Sequence, residues 1–450
     1  MEIELRGNLA EAYVQLRLHR EAEELARRSL EVARARFPAD SAPVAEALCQ
    51  VARALNSLGQ LKEAEAAARG SVAFRRKLLA ARQGGGFVST NAPLSYAPEL
   101  HLTERFKPDS LFDSLSVLGD VLYSHGDYSQ AETAYREALA LARKLRVKEH
   151  NDVAAQLSGL GLTLWQKGDL TEAEAAFREA LEIDRKVYGT NANPYIAALL
   201  NNLALVLQSQ GNLDRAESFF IESLEMEKRV FGPEHRSVAI GLHNLAALAH
   251  SGNRLAEAES RERDAVAMAR RLGNDDVFLA AALNRLGDIL RDAGKPDEAY
   301  EMVSEGLALR RKLLGNDGVD VADSLASLAS ILEGQGKFSE AETVCRECLA
   351  IREAKTPDHW RVFEARSLLG ASLMGQKKYA DAEPLLLSGY EGLKQREDKL
   401  PTAIRPRLQL AIRRLVRLYE ETGSPDRAAE WKQKLAESEK AEVQPKAAAP

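Results

Sequence analysis

GDLTEAEAAFREALEIDRKVYG, residues 168–189, reads as one amphipathic helix with its own start and stop. Ala173, Phe177, Ala180, Leu181 and Ile183 share one helical face. Gly168-Asp169 suits a turn in which a glycine at positive φ ends one helix and an acid opens the next. Upstream, Val153, Leu157, Leu160, Leu164 and Trp165 mark a second amphipathic helix. Residues 151–189 therefore form a helical hairpin, closed by Tyr188-Gly189.

The hairpin recurs along the chain. Ala173 has counterparts at Ala22, Ala64, Ala131, Ala216, Ala258, Ala299, Ala341, Ala382 and Ala428, and all but two of the gaps lie within one residue of 42. A fixed period of that size marks a solenoid, in which each unit buries its apolar face against its neighbours. The turn returns at Gly126-Asp127, Gly211-Asn212, Gly252-Asn253, Gly294-Lys295, Gly336-Lys337 and Gly423-Ser424. Small residues recur in the first helix of each hairpin at Gly119, Gly161, Ala204, Ala246, Gly287, Ala329 and Gly370, where two backbones must approach closely.

The unit resembles the tetratricopeptide repeat: Leu-Gly in helix A, Gly-Asp-Tyr at the turn, then Ala, an aromatic and Ala in helix B. GDYSQAETAYREALALARK (126–144) and the stretch at 168–186 carry the likeness best. The 42-residue spacing, Asn-Asn-Leu-Ala at 201–204 and Phe-Gly-Pro-Glu-His at 231–235 resemble the longer variant found in kinesin light chains. Units six, seven and nine depart from the aromatic, with Glu262, Val303 and Leu386 in its place, and the tenth unit is weak. The resemblance implies an all-α, right-handed superhelical solenoid of about ten antiparallel helix pairs. It also implies a concave groove that binds a peptide or helix of a partner.

Composition narrows the function. A net charge of −6 and a pI near 5.9 supply no positive field for nucleic acid or an anionic membrane, so neither is expected as a partner. The N-terminus lacks a basic region followed by an apolar run, and no stretch approaches the ~18 apolar residues of a membrane span. Three cysteines are too few for a disulfide framework, which fits a reducing compartment, and a cytoplasmic location is expected.

Chemistry-bearing patterns are sparse. Cys345 and Cys348 have the spacing of half a zinc site, but no second pair completes four ligands, and both fall on packing positions of helix B. No Ser-His-Asp order, His-Glu-x-x-His helix or nucleophile elbow is present, and His235 suits a capping or surface role. Gly84-Gly85-Gly86 lacks the Lys-Ser/Thr of a phosphate loop. No catalytic residue, metal or cofactor is expected.

The sequence divides into units 1–2 (3–82), a Gly/Pro-rich insert (83–109), units 3–9 (110–395), a degenerate last unit (396–438) and a tail (439–450) expected to be disordered. The insert is either a functional loop or a bland insertion. What remains for recognition is the A-helix face. It offers Asn201, Asn202, Gln208, His243, Asn244, His250, Asn284, Arg285 and Arg291. Amides can donate to a ligand carbonyl and accept from its N–H, although they can equally bond between neighbouring helices.

Near the C-terminus, Arg405, Arg407, Arg413, Arg414 and Arg417 occur with no acid between them, and Arg413 and Arg417 fall four apart on the inner face of the last A helix. That pair suits an acidic peptide or carboxylate, or forms a solvated face, while Asp120 and Asp288 keep the groove from being uniformly basic. Leu9, Tyr13 and Leu16 in the first unit leave self-association open. The function expected is a non-catalytic interaction scaffold; the alternative is the sensor or regulatory arm of a signalling system whose catalytic part is encoded elsewhere.

Overall fold

A computed structural model describes residues 2–16, 18–83, 109–144, 151–189, 191–273, 277–397 and 405–443. Within them every regular element is an α-helix, and the twenty helices form ten antiparallel pairs of a solenoid. Unit 1 (residues 1–191) holds α1 (Glu2–Gln15) and α2 (His19–Arg36), α3 (Ala42–Ser57) and α4 (Leu61–Gln83), α5 (Asp109–His125) and α6 (Tyr128–Lys144), and α7 (Asn151–Lys167) and α8 (Leu170–Tyr188). Unit 2 (residues 192–450) begins with α9 (Pro194–Ser209) and α10 (Leu213–Phe231), α11 (Arg236–Ser251) and α12 (Leu255–Leu272), and α13 (Val277–Asp292) and α14 (Pro296–Leu314). It continues with α15 (Val319–Gly334) and α16 (Phe338–Lys355), α17 (Trp360–Gly375) and α18 (Tyr379–Lys394), and α19 (Arg405–Glu421) and α20 (Pro425–Val443). Odd-numbered helices are the A helices and even-numbered ones the B helices.

The repeated alanine is the centre of each pair. Ala22 through Ala382 are all 0% exposed, and Ala428 is 4% exposed. Four residues on, the B helix places its largest plug: Tyr135, Phe177 and Phe220 are buried, and Glu262, Val303, Cys345 and Leu386 fill the same slot in the units that lack the aromatic. The small residue of the A helix lies against this plug. A Cβ on Gly161 would stand 2.8 Å from the Phe177 ring, and one on Gly287 2.3 Å from Val303 Cγ2, so only a bare backbone fits.

A second recurring contact ties the two helices of a pair. Ser71 Oγ donates to the Ala45 carbonyl (2.7 Å), Ser223 Oγ to Ala197 (2.8 Å) and Cys348 Sγ to Ala322 (3.2 Å), each seven residues after the repeated alanine. Cys348 thus occupies a polar small-residue position as a weak donor, and Cys345 occupies the plug. All three cysteines are free and buried, and burial pushes their thiols up to about 11 (Cys49, Cys348) and about 12 (Cys345).

The turns follow the sequence grammar with one change. Gly168 has φ +86°, and the next amide, of Asp169, reaches back to Leu164 O at 2.9 Å. At the α11–α12 turn the positive φ falls on Asn253 (58°), not Gly252, and at α17–α18 it falls on Lys377 (61°). Asn tolerates this region best among residues with a Cβ. The acid after the turn acts unevenly: Asp127 accepts from the Gln130 amide at 3.1 Å, while the Asp169 side chain caps nothing.

Successive B helices are stitched by ion pairs that periodicity alone did not reveal. Arginines five and twelve residues after the repeated alanine reach the acid just before, or six after, the next one: Arg136–Glu172 (2.6 Å) and Arg143–Glu179 (3.0 Å) in unit 1, and Arg263–Glu298 (2.7 Å), Arg270–Glu305 (2.6 Å) and Arg311–Glu347 (2.7 Å) in unit 2. Being exposed, each contributes about 0–1 kcal/mol, so they set register more than stability.

One expected boundary falls inside a helix. Helix α20 continues to Val443, five residues into the segment read as a tail, because Ala441, Glu442 and the residues before them are good helix formers. Residues 444–450, and residues 84–108 of the insert, lie outside the described residues.

Candidate functional site on the A helices of unit 2

In α9, α11 and α13 the A helices are apolar where they meet their B helices and carry amides, histidines and arginines elsewhere. The structure sorts those polar groups by partner. Asn244 Nδ2 donates to Asn201 Oδ1 at 2.7 Å, joining α11 to α9. His250 Nε2 lies 2.8 Å from Asp292 Oδ2, joining α11 to α13, and Asn284 Nδ2 donates to Ser327 Oγ of α15 at 3.3 Å. Arg291 bridges Asp288 and Asp292, each at 2.9 Å, and Ser327 Oγ also donates to Asp288 at 3.3 Å. These contacts form a polar seam along the A-helix wall; the Asn244–Asn201, His250–Asp292, Asn284–Ser327 and Ser327–Asp288 bonds each cross one repeat, and the two of Arg291 lie within α13.

Burial acts on Asp292 against ionisation, but hydrogen bonds from His250 and Arg291 and the guanidinium charge outweigh it and hold the carboxyl at about 2. In unit 1, Asp120 is engaged in the same way by Tyr135, whose hydroxyl donates at 2.7 Å. Burial dominates there and raises Asp120, and the Tyr135 phenol is raised in turn by burial and by the adjacent carboxylate.

His243 departs from the expectation of a groove residue. Its Nδ1 lies 2.7 Å from Glu262 Oε1 of its own B helix, and its ring meets Phe278 edge-on at 5.6 Å. The missing aromatic of the sixth unit explains this: Glu262 sits fully buried in the plug position and takes the histidine as its partner. Arg413 and Arg417 have partners as well. Arg413 bonds Glu439 of α20 at 3.0 Å and Arg417 bonds Glu421 one turn on at 2.7 Å, so both are exposed and locally paired.

The arginines that do lie between A helices are Arg414 and Arg407. Arg414 donates to Ser367 Oγ (3.1 Å) and Glu333 (3.0 Å), and Arg407 donates to Glu364 (2.5 Å). Glu364 and Asp323 also hold Arg352, whose side chain is 2% exposed. Their signal in the sequence was only the alignment of repeats, since Arg414 and Glu333 are 81 residues apart.

Among the described residues, the side chains of Asn202, Gln208 and Arg285 have no hydrogen-bond or ion-pair partner, and all three are half-buried. Of the nine residues expected on this face, these are the ones left open. His235 is no part of it: its Nδ1 accepts from the Ser237 amide at 3.2 Å as the cap of α11, and its ring stacks on Phe231 at 4.3 Å. Among the described residues no group of three His, Cys, Asp or Glu side chains can hold a metal ion, and no helix is long and apolar enough to cross a membrane.

Comparison with known proteins identifies the class. Tetratricopeptide repeat models match residues 110–186, 195–271 and 278–354, and residues 3–42 and 44–82. The chain belongs to the tetratricopeptide repeat family. A comparison with the curated proteins returned no match. Among solved structures, the chain is similar to the apo form of the quorum sensor NprR from B. thuringiensis, with 10% identity over 87% of this chain and 98% of that one, at a TM-score of 0.56. It is also similar to a Rap protein complexed with Competence and Sporulation Factor, with 15% identity over 97% and 99% and a TM-score of 0.51. BtubC (BKLC) from P. vanneervenii is 26% identical over 57% of this chain and 92% of that one, with a TM-score of 0.45.

Proposed function

We propose that this protein is a non-catalytic interaction scaffold that holds a peptide or helix of a partner protein against the A helices of unit 2. The observation that carries the reading is the division of labour among the polar side chains of that wall. Asn201 and Asn244 bind each other, His250 and Asn284 bind a neighbouring helix and Arg291 binds two carboxylates of its own helix, while Asn202, Gln208 and Arg285 keep unused donors and acceptors beside them. Half-buried amides without partners are costly unless water or a ligand takes them, and a peptide backbone supplies both a donor and an acceptor. The unpaired Arg285 favours a ligand with a carboxylate nearby. Free, buried thiols suit a cytoplasmic setting.

The test uses the full chain. Partner peptides selected on an array are titrated against wild type and the Asn202→Ala/Gln208→Ala/Arg285→Ala variant. Binding weakened at least tenfold supports the wall as the site, and unchanged binding removes it.

A second reading makes the chain the sensor or regulatory arm of a signalling system whose catalytic part is encoded elsewhere. It is favoured by the shared fold with NprR, named as a quorum sensor, and with Rap bound to Competence and Sporulation Factor. A signalling gene adjoining this one, with association of the two products, would favour it over a free-standing scaffold. Self-association rests on Leu9 of α1 and Leu16 just after it, both exposed. Sedimentation of wild type against Leu9→Lys/Leu16→Lys tests it, and a monomer in both would end it.

A further inference from the structure

The residue eleven positions after the repeated alanine lies where a B helix meets the A helices on either side of it. In three repeats it is an arginine with partners: Arg75 pairs with Glu46, Arg310 donates to the Asp320 carbonyl (2.6 Å) and Ser324 Oγ (2.8 Å), and Arg352 bridges Asp323 and Glu364. In α10 the same position is Glu227. Its Oε2 is buried with no hydrogen-bond partner, and it packs so close to α11 that a Cβ on Gly241 would stand 3.1 Å from it.

No charge compensates it. Helix α9 carries no charged side chain, only Tyr195. Helix α11 has Arg236, which lies over the Phe278 ring, His243, which is committed to Glu262, and His250, which is committed to Asp292. On α10 itself, Lys228 pairs with Glu225, and Arg229 donates to the Glu225 carbonyl.

We propose that the junction between α10 and α11 is a proton-controlled seam, closed when Glu227 is protonated and loosened when it is ionised. The physical cause is desolvation: the neutral carboxyl is tolerated against the α11 backbone, whereas the carboxylate needs water that only a parted junction admits. Burial alone pushes this carboxyl up to about 7, which puts the change in the physiological range. Because folding raises its proton affinity, the seam is tightest below about pH 4.5, the ordinary value, and loses protection as pH rises through about 7. The Asn201–Asn244 bond joins α9 and α11, the two A helices that pack against α10, so their spacing follows the proton.

Hydrogen exchange of the full chain at pH 5.5 and pH 8, corrected for intrinsic rates, reads the seam directly. Amides of α10 and α11 in wild type should lose about tenfold in protection at pH 8 relative to other helices of unit 2. Glu227→Gln should keep the protected state at both values. A carbon-detected titration of the Glu227 carboxyl in wild type needs no variant and should give a midpoint well above 4.5. Equal protection at the two pH values in wild type, the same pH response in Glu227→Gln, or a midpoint near 4.5 would each overturn the proposal.

Discussion

Asn244 donates to Asn201 across 43 residues of sequence at 2.7 Å, so two side chains that read as ligand contacts are each other's partners. The next residue, Asn202, has no partner among the described residues. Adjacent half-buried asparagines on one helix therefore differ, one holding the stack and one unpaired.

Asn244→Ala should lower stability by about 1 kcal/mol, the net worth of a half-buried hydrogen bond whose other partner is left behind. Asn202→Ala should change it by less than about 0.5 kcal/mol. Urea unfolding of the two variants beside wild type measures the difference, and equal losses would contradict the assignment.

Gly161→Leu should destabilise by about 1–3 kcal/mol, because its first side-chain atom already meets the Phe177 ring at 2.8 Å in a closely packed interior. The damage should concentrate in α7 and α8, since a repeat contacts only its neighbours. Chemical denaturation gives the magnitude and hydrogen exchange the location. A variant as stable as wild type would mean the pair can part without cost.

Removing Arg352 should cost about 1–3 kcal/mol, because Asp323 and Glu364 lose their shared buried cation although Glu364 keeps Arg407 and Asp323 keeps Arg361. The double variant Arg413→Ala/Arg417→Ala should stay within about 1 kcal/mol of wild type, since each of those exposed ion pairs is worth about 0–1 kcal/mol. Thermal melts of both variants distinguish the buried network from the surface pairs, and comparable losses would refute the distinction.

Glu342 follows the opposite pH rule from Glu227. Hydrogen bonds from Gln376, Lys378 and Arg346 lower it to about 2, so its contribution is complete above the ordinary 4.5 and disappears as pH falls toward 2. Unfolding midpoints taken from pH 6 to pH 2 should fall more steeply in wild type than in Glu342→Gln. Parallel curves would show that the carboxylate is not held by those donors.

The cysteines offer a check on packing. All three thiols are buried and raised, so a thiol reagent at pH 8 should label none of them in the native protein and all of them in denaturant. Labelling of Cys345 without denaturant would place it nearer solvent than its plug position allows.

The amino-acid sequence by itself determined the helix-pair repeat, because a buried alanine every 42 or so residues, a plug four residues later and a turn before it are all local patterns, set within one hairpin by backbone sterics and apolar burial. It also identified the A-helix polar set, since equivalent positions of equivalent hairpins share a face. Only the tertiary structure decided which of those groups are spent. His243 answers to Glu262 because an acid replaced an aromatic in the next helix, Arg413 and Arg417 turn to nearby glutamates, and the Oε2 of Glu227 is buried with no hydrogen-bond partner where the arginines at the same position have theirs. The reason is that hydrogen bonds are directional and reach about 3 Å, so the pairing of side chains on different hairpins depends on where each helix comes to rest, which periodicity does not specify.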